Sequence, residues 1–182
     1  MRIIGGKYRS RVLADFAGQD VRPTSDRARE SLFNILSMKV LGARVLDLFC
    51  GSGALGLESL SRGAKEAVFN DVAKDSLAIV RKNLETLKID VNGGEATVSH
   101  ADYSVCLESA RGQFDIIFID PPYRFDYGKK ALEIIAKKNL LTENGVAVYE
   151  RDCAFDGEID RTTDAYRMRY FPQVRIKLGV EF

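Results

Sequence analysis

A short apolar segment that runs directly into a glycine-rich turn constrains the fold more than any other feature of the sequence. The apolar segment is VLDLF at positions 45–49. Three glycines follow it with the spacing G-x-G-x-x-G, namely Gly51, Gly53 and Gly56. Glycine allows a tight turn and lets a ligand approach the backbone closely. The pattern therefore predicts a buried strand, a turn and a helix, which together open many nucleotide-binding α/β domains.

Apolar and amphipathic segments alternate along the rest of the chain. Further strands are predicted at 67–69, 96–100, 114–119 and 146–149, and helices at 73–88 and 129–138. Alternation of this kind indicates βαβ units and a parallel sheet. Two last apolar segments, at 165–171 and 174–180, predict an antiparallel hairpin at the C-terminal end. We expect an α/β, doubly wound, Rossmann-like fold with a mostly parallel seven-stranded sheet that includes this hairpin.

The first 44 residues differ from the rest of the chain in charge. They contain nine Lys and Arg against four Asp and Glu, whereas the whole chain has a net charge of only +1. We predict a small N-terminal extension at 1–44, followed by the main domain at 45–182. The extension would consist of a β-hairpin within 1–15 and an amphipathic helix that ends near Met38. A basic arm of this kind can bind a polyanion, although charge alone leaves a merely solvated hairpin as an equal alternative. The candidate contacts are Lys7, Arg9 and Arg11.

The composition excludes several classes of protein. With 182 residues, of which 46% are hydrophobic, the chain can bury one sizeable core but not two. No apolar run approaches the roughly 20 residues that a membrane-spanning helix needs, and the N-terminus lacks the apolar core of a signal peptide. Three widely spaced cysteines predict reduced thiols in a cytoplasmic protein. The single histidine, His100, excludes a multi-histidine metal site, so we expect no metal. Because no apolar run is long enough, we also expect no association with a membrane.

Two acids near the glycine turn lie at positions that suit an adenosine-containing cofactor. Asp71 follows Gly51 by twenty residues and lies at the end of the second predicted strand. A carboxylate at this position can accept hydrogen bonds from both ribose hydroxyls. Asp47 lies four residues before Gly51, where an acid favours a cationic ligand over a pyrophosphate. The glycine motif alone fits either NAD or S-adenosylmethionine, and Asp47 favours S-adenosylmethionine.

A second motif directly follows the most apolar of the predicted strands. It is Asp120-Pro121-Pro122-Tyr123. A double proline cannot extend a strand, so it fixes the backbone at the carboxyl edge of the sheet, where α/β proteins bind ligands. The Asp120 carboxylate and the Pro121 carbonyl can accept two N–H bonds from one amino group, and the Tyr123 ring can stack on the attached base. Because the amino group of a base is a poor nucleophile, its orientation toward a sulfonium methyl supplies most of the catalysis.

Together the motifs resemble those of the amino-methyltransferases of nucleic acids, whose signature is (Asp/Asn/Ser)-Pro-Pro-(Tyr/Phe/Trp). Three segments make the chain similar to the bacterial RsmD family: RIIGG at 2–6, RPTSDRARESLFNIL at 22–36 and DLFCGSGALGLE at 47–58. The resemblance covers residues 2 to about 150. It implies a Rossmann-like methyltransferase fold and S-adenosylmethionine as the cofactor. It also implies methyl transfer to guanine N2 in 16S ribosomal RNA, with the assembling small ribosomal subunit as a further candidate substrate.

The resemblance also assigns roles to individual residues. The cofactor site would comprise Asp47, Phe49, Gly51, Ser52, Gly53, Asp71, Val72, Asp102 and Tyr103. The catalytic segment would comprise Asp120, Pro121, Pro122 and Tyr123. The charge of the basic arm predicts RNA contacts from Lys7, Arg9 and Arg11, and the further substrate contacts Arg22 and Thr24 belong to a segment that would fold over the cofactor or the target base. A helix cap is the alternative role for the segment around Pro23. The chain departs from the family at Ala73, where a second acid often follows the ribose acid.

Other functions use parts of the same pattern. An adenine-N6 methyltransferase acting on DNA or RNA would need the same motifs, although DNA enzymes usually carry a separate sequence-reading domain. An NAD-dependent oxidoreductase would account for the glycine turn but leaves the segment Asp120 to Tyr123 unexplained. A non-catalytic RNA-binding protein with this fold is a third alternative. Binding of S-adenosylmethionine rather than NAD distinguishes these classes.

Overall fold

Parallel strands alternate with helices as the sequence predicts, with one helix more than predicted. The computed structural model describes residues 1–16, 26–121 and 127–150. Its strands are β1 Arg44–Asp47, β2 Glu66–Asp71, β3 Ala96–His100, β4 Phe114–Ile119 and β5 Leu141–Tyr149. Its helices are α1 Asp26–Leu36, α2 Ala54–Ser61, α3 Lys74–Leu87, α4 Tyr103–Ser109 and α5 Tyr127–Lys137. Short 3-10 helices lie at Gly6–Tyr8 and Ser37–Val40. Residues 1–16 are called the N-terminal segment below.

The strand order within the sheet is β3-β2-β1-β4-β5, and every neighbouring pair is parallel. The chain builds outward from β1 through β2 to β3, then returns to the other side of β1 for β4 and β5. This reversal creates a switch point at the carboxyl ends of β1 and β4, where open α/β sheets bind ligands. Asp47 ends β1, Asp71 ends β2 and Asp120 directly follows β4. The fold therefore brings the three predicted acids to one edge of the sheet.

Hydrophobic cores cover both faces of the sheet. Along β4, Ile116 and Phe118 belong to the core that α1, α2 and α3 cover. The alternate residues Ile117 and Ile119 belong to the core that α4 and α5 cover. All four side chains are fully buried. A strand that is buried on both faces is nearly continuous in apolar residues, which explains why the apolar run at 116–119 locates β4 in the sequence.

The N-terminal segment packs onto α2, and the β-hairpin predicted there is not confirmed. Its antiparallel pairing is limited to one bridge between Arg2 and Val12, with three backbone hydrogen bonds beside it and a 3-10 helix in the turn. The backbone N–H groups of Ile4 and Gly5 each donate to the Glu58 carboxylate at 2.8 Å. These two donors are therefore satisfied by α2, and no ladder of two strands forms around them.

Other elements differ from the prediction or lie outside the described residues. Helix α4 has no predicted counterpart, and β5 begins at Leu141 instead of residue 146. The predicted C-terminal hairpin, and with it the sixth and seventh strands, falls outside the described ranges. Ile3, Leu13 and Phe33 join the same core as α2 and α3, and a domain division at residue 44 stays a prediction. Within the described ranges, every helix is too short or too polar to cross a bilayer.

Candidate active site

Three carboxylates lie close enough at the carboxyl edge of the sheet to act on one another. They belong to Asp47, Asp71 and Asp120, which end or directly follow three neighbouring strands. The negative charges of Asp120 and Asp71 both raise the pKa of Asp47. Mutual repulsion of this kind raises the free energy of the ionised site. A cationic ligand that reduces the repulsion is therefore favoured at this edge.

Asp47 lies in a dry position directly below the glycine turn. Its side chain is 2% exposed, and Oδ2 accepts a hydrogen bond from the Gly56 backbone N–H at 2.9 Å. The pKa of Asp47 is raised to about 7, chiefly because burial disfavours the charged form, and the Gly56 N–H only partly opposes this effect. Among the described residues, no Lys or Arg side chain forms an ion pair with Asp47.

Asp71 fixes the glycine turn to the end of β2. Its Oδ2 accepts the Gly51 backbone N–H at 2.9 Å, and its Oδ1 accepts the Ala73 N–H at 2.8 Å. A carboxylate offers about four lone-pair sites, so each oxygen retains the capacity to accept another hydrogen bond. The side chain is half-buried and can therefore be reached by a ligand. This geometry suits the two neighbouring hydroxyls of a ribose.

The glycines of the turn serve two different purposes. Gly53 has a φ of 84°, a left-handed conformation that side chains rarely adopt, and so it shapes the turn itself. Gly56 lies inside α2, where an added Cβ would come within 2.3 Å of the Phe69 ring. Gly56 therefore permits close packing of α2 against β2. Within the spacing G-x-G-x-x-G, Gly53 is thus required by the turn and Gly56 by the packing of the helix.

Buried Asn70 joins the loops that follow β1 and β3. Its Nδ2 donates to the carbonyls of Leu48 and Ala101, each at 3.1 Å. The backbone carbonyl of Asn70 accepts the Cys50 N–H at 2.9 Å. Asn70 is 1% exposed, so water does not replace these bonds. The side chain thereby positions both loops at the edge where the acids lie.

Three aromatic rings form a cluster at the same edge. The ring of Phe49, which follows β1, lies 5.5 Å from Tyr103 and 6.5 Å from Tyr127, measured between ring centroids. Tyr103 and Tyr127, at the starts of α4 and α5, are 5.2 Å apart. Aromatic faces bind planar bases by stacking. The cluster therefore offers an apolar surface suited to a nucleobase beside the glycine turn.

The N-terminal segment lies against the helix that follows the glycine turn. The Glu58 carboxylate, which holds its two backbone N–H groups, also accepts Arg62 Nε at 2.7 Å. Ser61 Oγ donates to the Gly5 carbonyl and accepts the Tyr8 N–H at 2.9 Å. These contacts fix the middle of the segment. Its exposed basic side chains include Lys7, Arg9 and Arg11.

Comparisons with known proteins identify the family of the chain. A family model described as "Conserved hypothetical protein 95" matches residues 1–173. A protein of Escherichia coli named "Ribosomal RNA small subunit methyltransferase D" is 37% identical over 160 residues, which are 88% of this chain and 76% of that protein. Its namesake in Haemophilus influenzae is 36% identical over 155 residues, or 84% of this chain and 79% of the relative. The chain belongs to the RsmD family.

Solved structures confirm the fold expected for an RsmD family member. That of yhhF from Escherichia coli aligns with a TM-score of 0.77 at 35% identity and covers 87% of this chain and 84% of that one. That of HI0767 from Haemophilus influenzae aligns with a TM-score of 0.71 at 33% identity, with the same coverage of both chains. The five described strands thus form the parallel sheet of a Rossmann-like methyltransferase fold.

The structure brings some of the predicted site residues of this RsmD member together at the glycine turn and places others elsewhere. It gathers most of the predicted cofactor residues around the turn, and it places Val72 with its side chain 69% exposed. Asp102 caps α4, where its Oδ1 accepts the Ser104 N–H at 2.9 Å. Asp120 is half-buried and Pro121 is buried. Four predicted residues lie outside the described ranges, and their roles stay predictions: Arg22, Thr24, Pro122 and Tyr123. In the described ranges, no group of three or more His, Cys, Asp or Glu is arranged to hold a metal ion.

Some residues of this RsmD site are found only in the structure. Tyr127 completes the aromatic cluster, and Asn70 joins two loops of the site. Asn83, on α3, donates to the Ser52 carbonyl of the glycine turn at 3.1 Å. Their contacts connect segments that are distant in the sequence, so no local motif indicates them. Glu58 lies within the motif DLFCGSGALGLE, and its position on the buried helix α2 is the one signal that could have revealed it.

Proposed function

We propose that this protein transfers a methyl group from S-adenosylmethionine to the exocyclic N2 amino group of a guanine in 16S ribosomal RNA. The observation that carries the proposal is the convergence of Asp47, Asp71 and Asp120 around one glycine turn. Membership of the RsmD family supports methyl transfer, and the names of two relatives support ribosomal RNA as the substrate. The substrate would be 16S ribosomal RNA in the cytoplasm, either free or within an assembling small subunit.

The residues around the turn fit S-adenosylmethionine. Each Asp71 oxygen accepts one backbone N–H and can still accept a ribose hydroxyl. A Cβ placed on Gly51 would meet only a ring carbon of Phe16, at 4.0 Å, so a ligand can approach this part of the turn. Asp47 would face the positive charge of the methionine portion. The aromatic cluster of Phe49, Tyr103 and Tyr127 would contact the adenine.

Asp120 and Pro121 would hold the target amino group. The bound cofactor supplies an electrophilic sulfonium methyl. The Asp120 carboxylate and the Pro121 carbonyl accept the two N–H bonds of the amine, which directs its lone pair toward the methyl group. The cofactor would supply the methyl group, and Asp120 would accept the proton that the nitrogen loses, along the hydrogen bond between them. Asp120 therefore acts on the nucleophile, whereas Asp71 acts only on the cofactor.

Adenine presents an amino group beside a ring nitrogen, as guanine does. Asp120 and Pro121 would therefore also serve an adenine-N6 methyltransferase, and the methylated nucleoside decides between the two bases. An NAD-dependent oxidoreductase is disfavoured because the buried carboxyl of Asp47 lies where a pyrophosphate would bring negative charge.

Two variants separate cofactor binding from methyl transfer. Asp71→Ala should weaken S-adenosylmethionine binding about 10- to 100-fold in calorimetry, because charge-assisted bonds to the ribose are lost. Asp120→Ala should bind the cofactor as the unaltered protein does and yet methylate no RNA. Glu133→Gln, an exposed change on α5, should match the unaltered protein in both assays.

The product identifies the base. Ribosomal RNA and small-subunit particles from a strain that lacks the enzyme are incubated with the protein and S-adenosylmethionine, then digested for nucleoside mass spectrometry. We expect N2-methylguanosine. N6-methyladenosine would overturn the choice of base, an active Asp120→Ala protein would overturn the mechanism, and binding of NAD instead of S-adenosylmethionine would overturn the proposal as a whole.

A further inference from the structure

A buried asparagine joins the glycine turn to the N-terminal segment. Asn83 lies on the inner face of α3 and is fully buried. Its Nδ2 donates to the Ser52 carbonyl at 3.1 Å and to the Ala14 carbonyl at 3.0 Å. Its Oδ1 accepts the Ala14 N–H at 2.8 Å. A single amide thus makes three hydrogen bonds to two segments that are far apart in the sequence.

The two segments have different roles in the proposed reaction. Ser52 lies in the middle of the turn that would bind the cofactor. Ala14 lies near the end of the N-terminal segment, whose exposed basic residues would bind RNA. The two segments also meet directly, because Met1 Sδ accepts a hydrogen bond from Ser52 Oγ at 3.6 Å. Asn83 is therefore placed between a candidate cofactor site and a candidate RNA site.

Burial makes the Asn83 bonds costly to break. Water does not reach the amide, so a lost bond leaves a donor or acceptor unsatisfied. A displacement of Ala14 relative to Ser52 must break at least one of these bonds. A ligand that orders one segment therefore also orders the other, which lowers the conformational cost of the second binding event.

We propose that Asn83 is a positioning residue that couples cofactor binding at the glycine turn to RNA binding at the N-terminal segment. The inference rests on the proposed function, because it takes the turn as the cofactor site and the segment as an RNA site. It adds an energetic link between the two sites that neither site requires for its own chemistry.

Coupling is measured as the ratio of two RNA dissociation constants. The RNA or particle that accepts the methyl group is titrated with and without S-adenosylhomocysteine, a probe that has no methyl group to transfer. In the unaltered protein the probe should tighten RNA binding about fivefold or more. In Asn83→Ala the ratio should fall below about twofold. Leu84→Ala, the neighbouring buried residue on α3, should keep the full ratio despite a comparable loss of stability.

A second variant changes the same contact from its other end. Ala14→Pro removes the N–H that Asn83 Oδ1 accepts and leaves the interior of α3 unchanged, so it should also reduce the ratio. A ratio below twofold in the unaltered protein, or a full ratio in both Asn83→Ala and Ala14→Pro, would overturn the coupling alone. Failure of the unaltered protein to bind S-adenosylmethionine or to methylate RNA would instead contradict the proposed function.

Discussion

At the scale of single residues, the burial of Asp47 makes the stability of the protein depend on pH. Its pKa is raised to about 7 in the folded protein, whereas a carboxyl in an unfolded chain has a pKa of about 4. Between these values the folded protein retains a proton that the unfolded chain releases. The contribution of this proton to stability is fully present below about pH 4 and is lost as the pH rises through about 7.

The variant Asp47→Asn should remove this pH dependence, because the amide is neutral and its oxygen can still accept the Gly56 N–H. The difference in unfolding free energy, variant minus unaltered protein, should increase with pH by up to about 1.4 kcal/mol per pH unit between pH 4 and 7. Urea unfolding without ligand, at several pH values, measures the difference. Leu46→Ala, a neutral change at the neighbouring buried position, should lower stability by the same amount at every pH. A pH-independent difference for Asp47→Asn would contradict the assignment of the raised pKa.

Some site residues are predictable from the sequence and others are not, because their partners lie at different separations along the chain. Asp47 and Asp71 lie at fixed spacings from one glycine turn, so their meeting place follows from strand, turn and strand. The partners of Asn83 are Ser52 and Ala14, which tertiary folding brings to α3. A lone asparagine in an amphipathic helix carries no local sign of such partners. Residues that bind through local motifs are therefore predictable, and residues that join distant segments need the structure.

At the scale of elements, α2 is buried on nearly its whole circumference. Its side toward the sheet packs on β2, while the N-terminal segment contacts another side through Glu58 and Ser61. Glu58 is fully buried, and its charge is balanced by Arg62, by the buried Arg29 guanidinium at 3.9 Å and by the two backbone N–H groups of the segment. A buried carboxylate is tolerated here only because all of these donors converge on it.

The variant Glu58→Gln should therefore destabilise the protein by about 3–5 kcal/mol, because it replaces one of the two accepting oxygens with an NH2 group and removes the negative charge that pairs with Arg62. Urea unfolding measures the loss, and amide hydrogen exchange at Ile4 and Gly5 should accelerate more than exchange in β4. Glu85→Gln, an exposed change on α3, should stay within about 0.5 kcal/mol of the unaltered protein. Retained protection at Ile4 and Gly5 would show that Glu58 does not hold the segment.

The bounds of a strand or helix are predictable where its buried residues form a clear apolar pattern in the sequence. The strands β3 and β4 begin and end where they are predicted. For β4 the reason is that polar residues flank a largely apolar run. The start of β5 is missed because Thr142 to Asn144 are polar and a register irregularity separates Phe114 from Ile116 opposite them. Helix α4 is missed because its seven residues bury only Cys106 and Leu107, too few to show a helical period.

At the scale of the whole molecule, the order of the parallel strands follows from the alternation of strands and helices and the rules for crossover connections. The packing of the N-terminal segment on α2 does not follow, because it depends on the buried charge of Glu58 and on two isolated apolar residues, Ile3 and Leu13, that show no periodicity. Charge is also distributed unevenly: a net charge of +1 hides the concentration of exposed cations on the N-terminal segment. If these clustered cations bind RNA, the position of a cation should affect RNA affinity more than the total charge of the protein does.

Two triple variants with the same change in net charge test whether the position of the cations matters. One replaces Lys7, Arg9 and Arg11 with Gln, and the other replaces three exposed lysines of α5 with Gln: Lys129, Lys130 and Lys137. Each phosphate contact contributes about 0.7–0.9 to the slope of log affinity against log salt, through release of counterions. The first variant should lower the slope by about 2 and leave S-adenosylmethionine affinity unchanged, whereas the second should leave both nearly unchanged. Titration of the substrate RNA at several salt concentrations measures the slopes. Equal losses in the two variants would show that RNA responds to total charge, and the N-terminal segment would then be only a solvated surface.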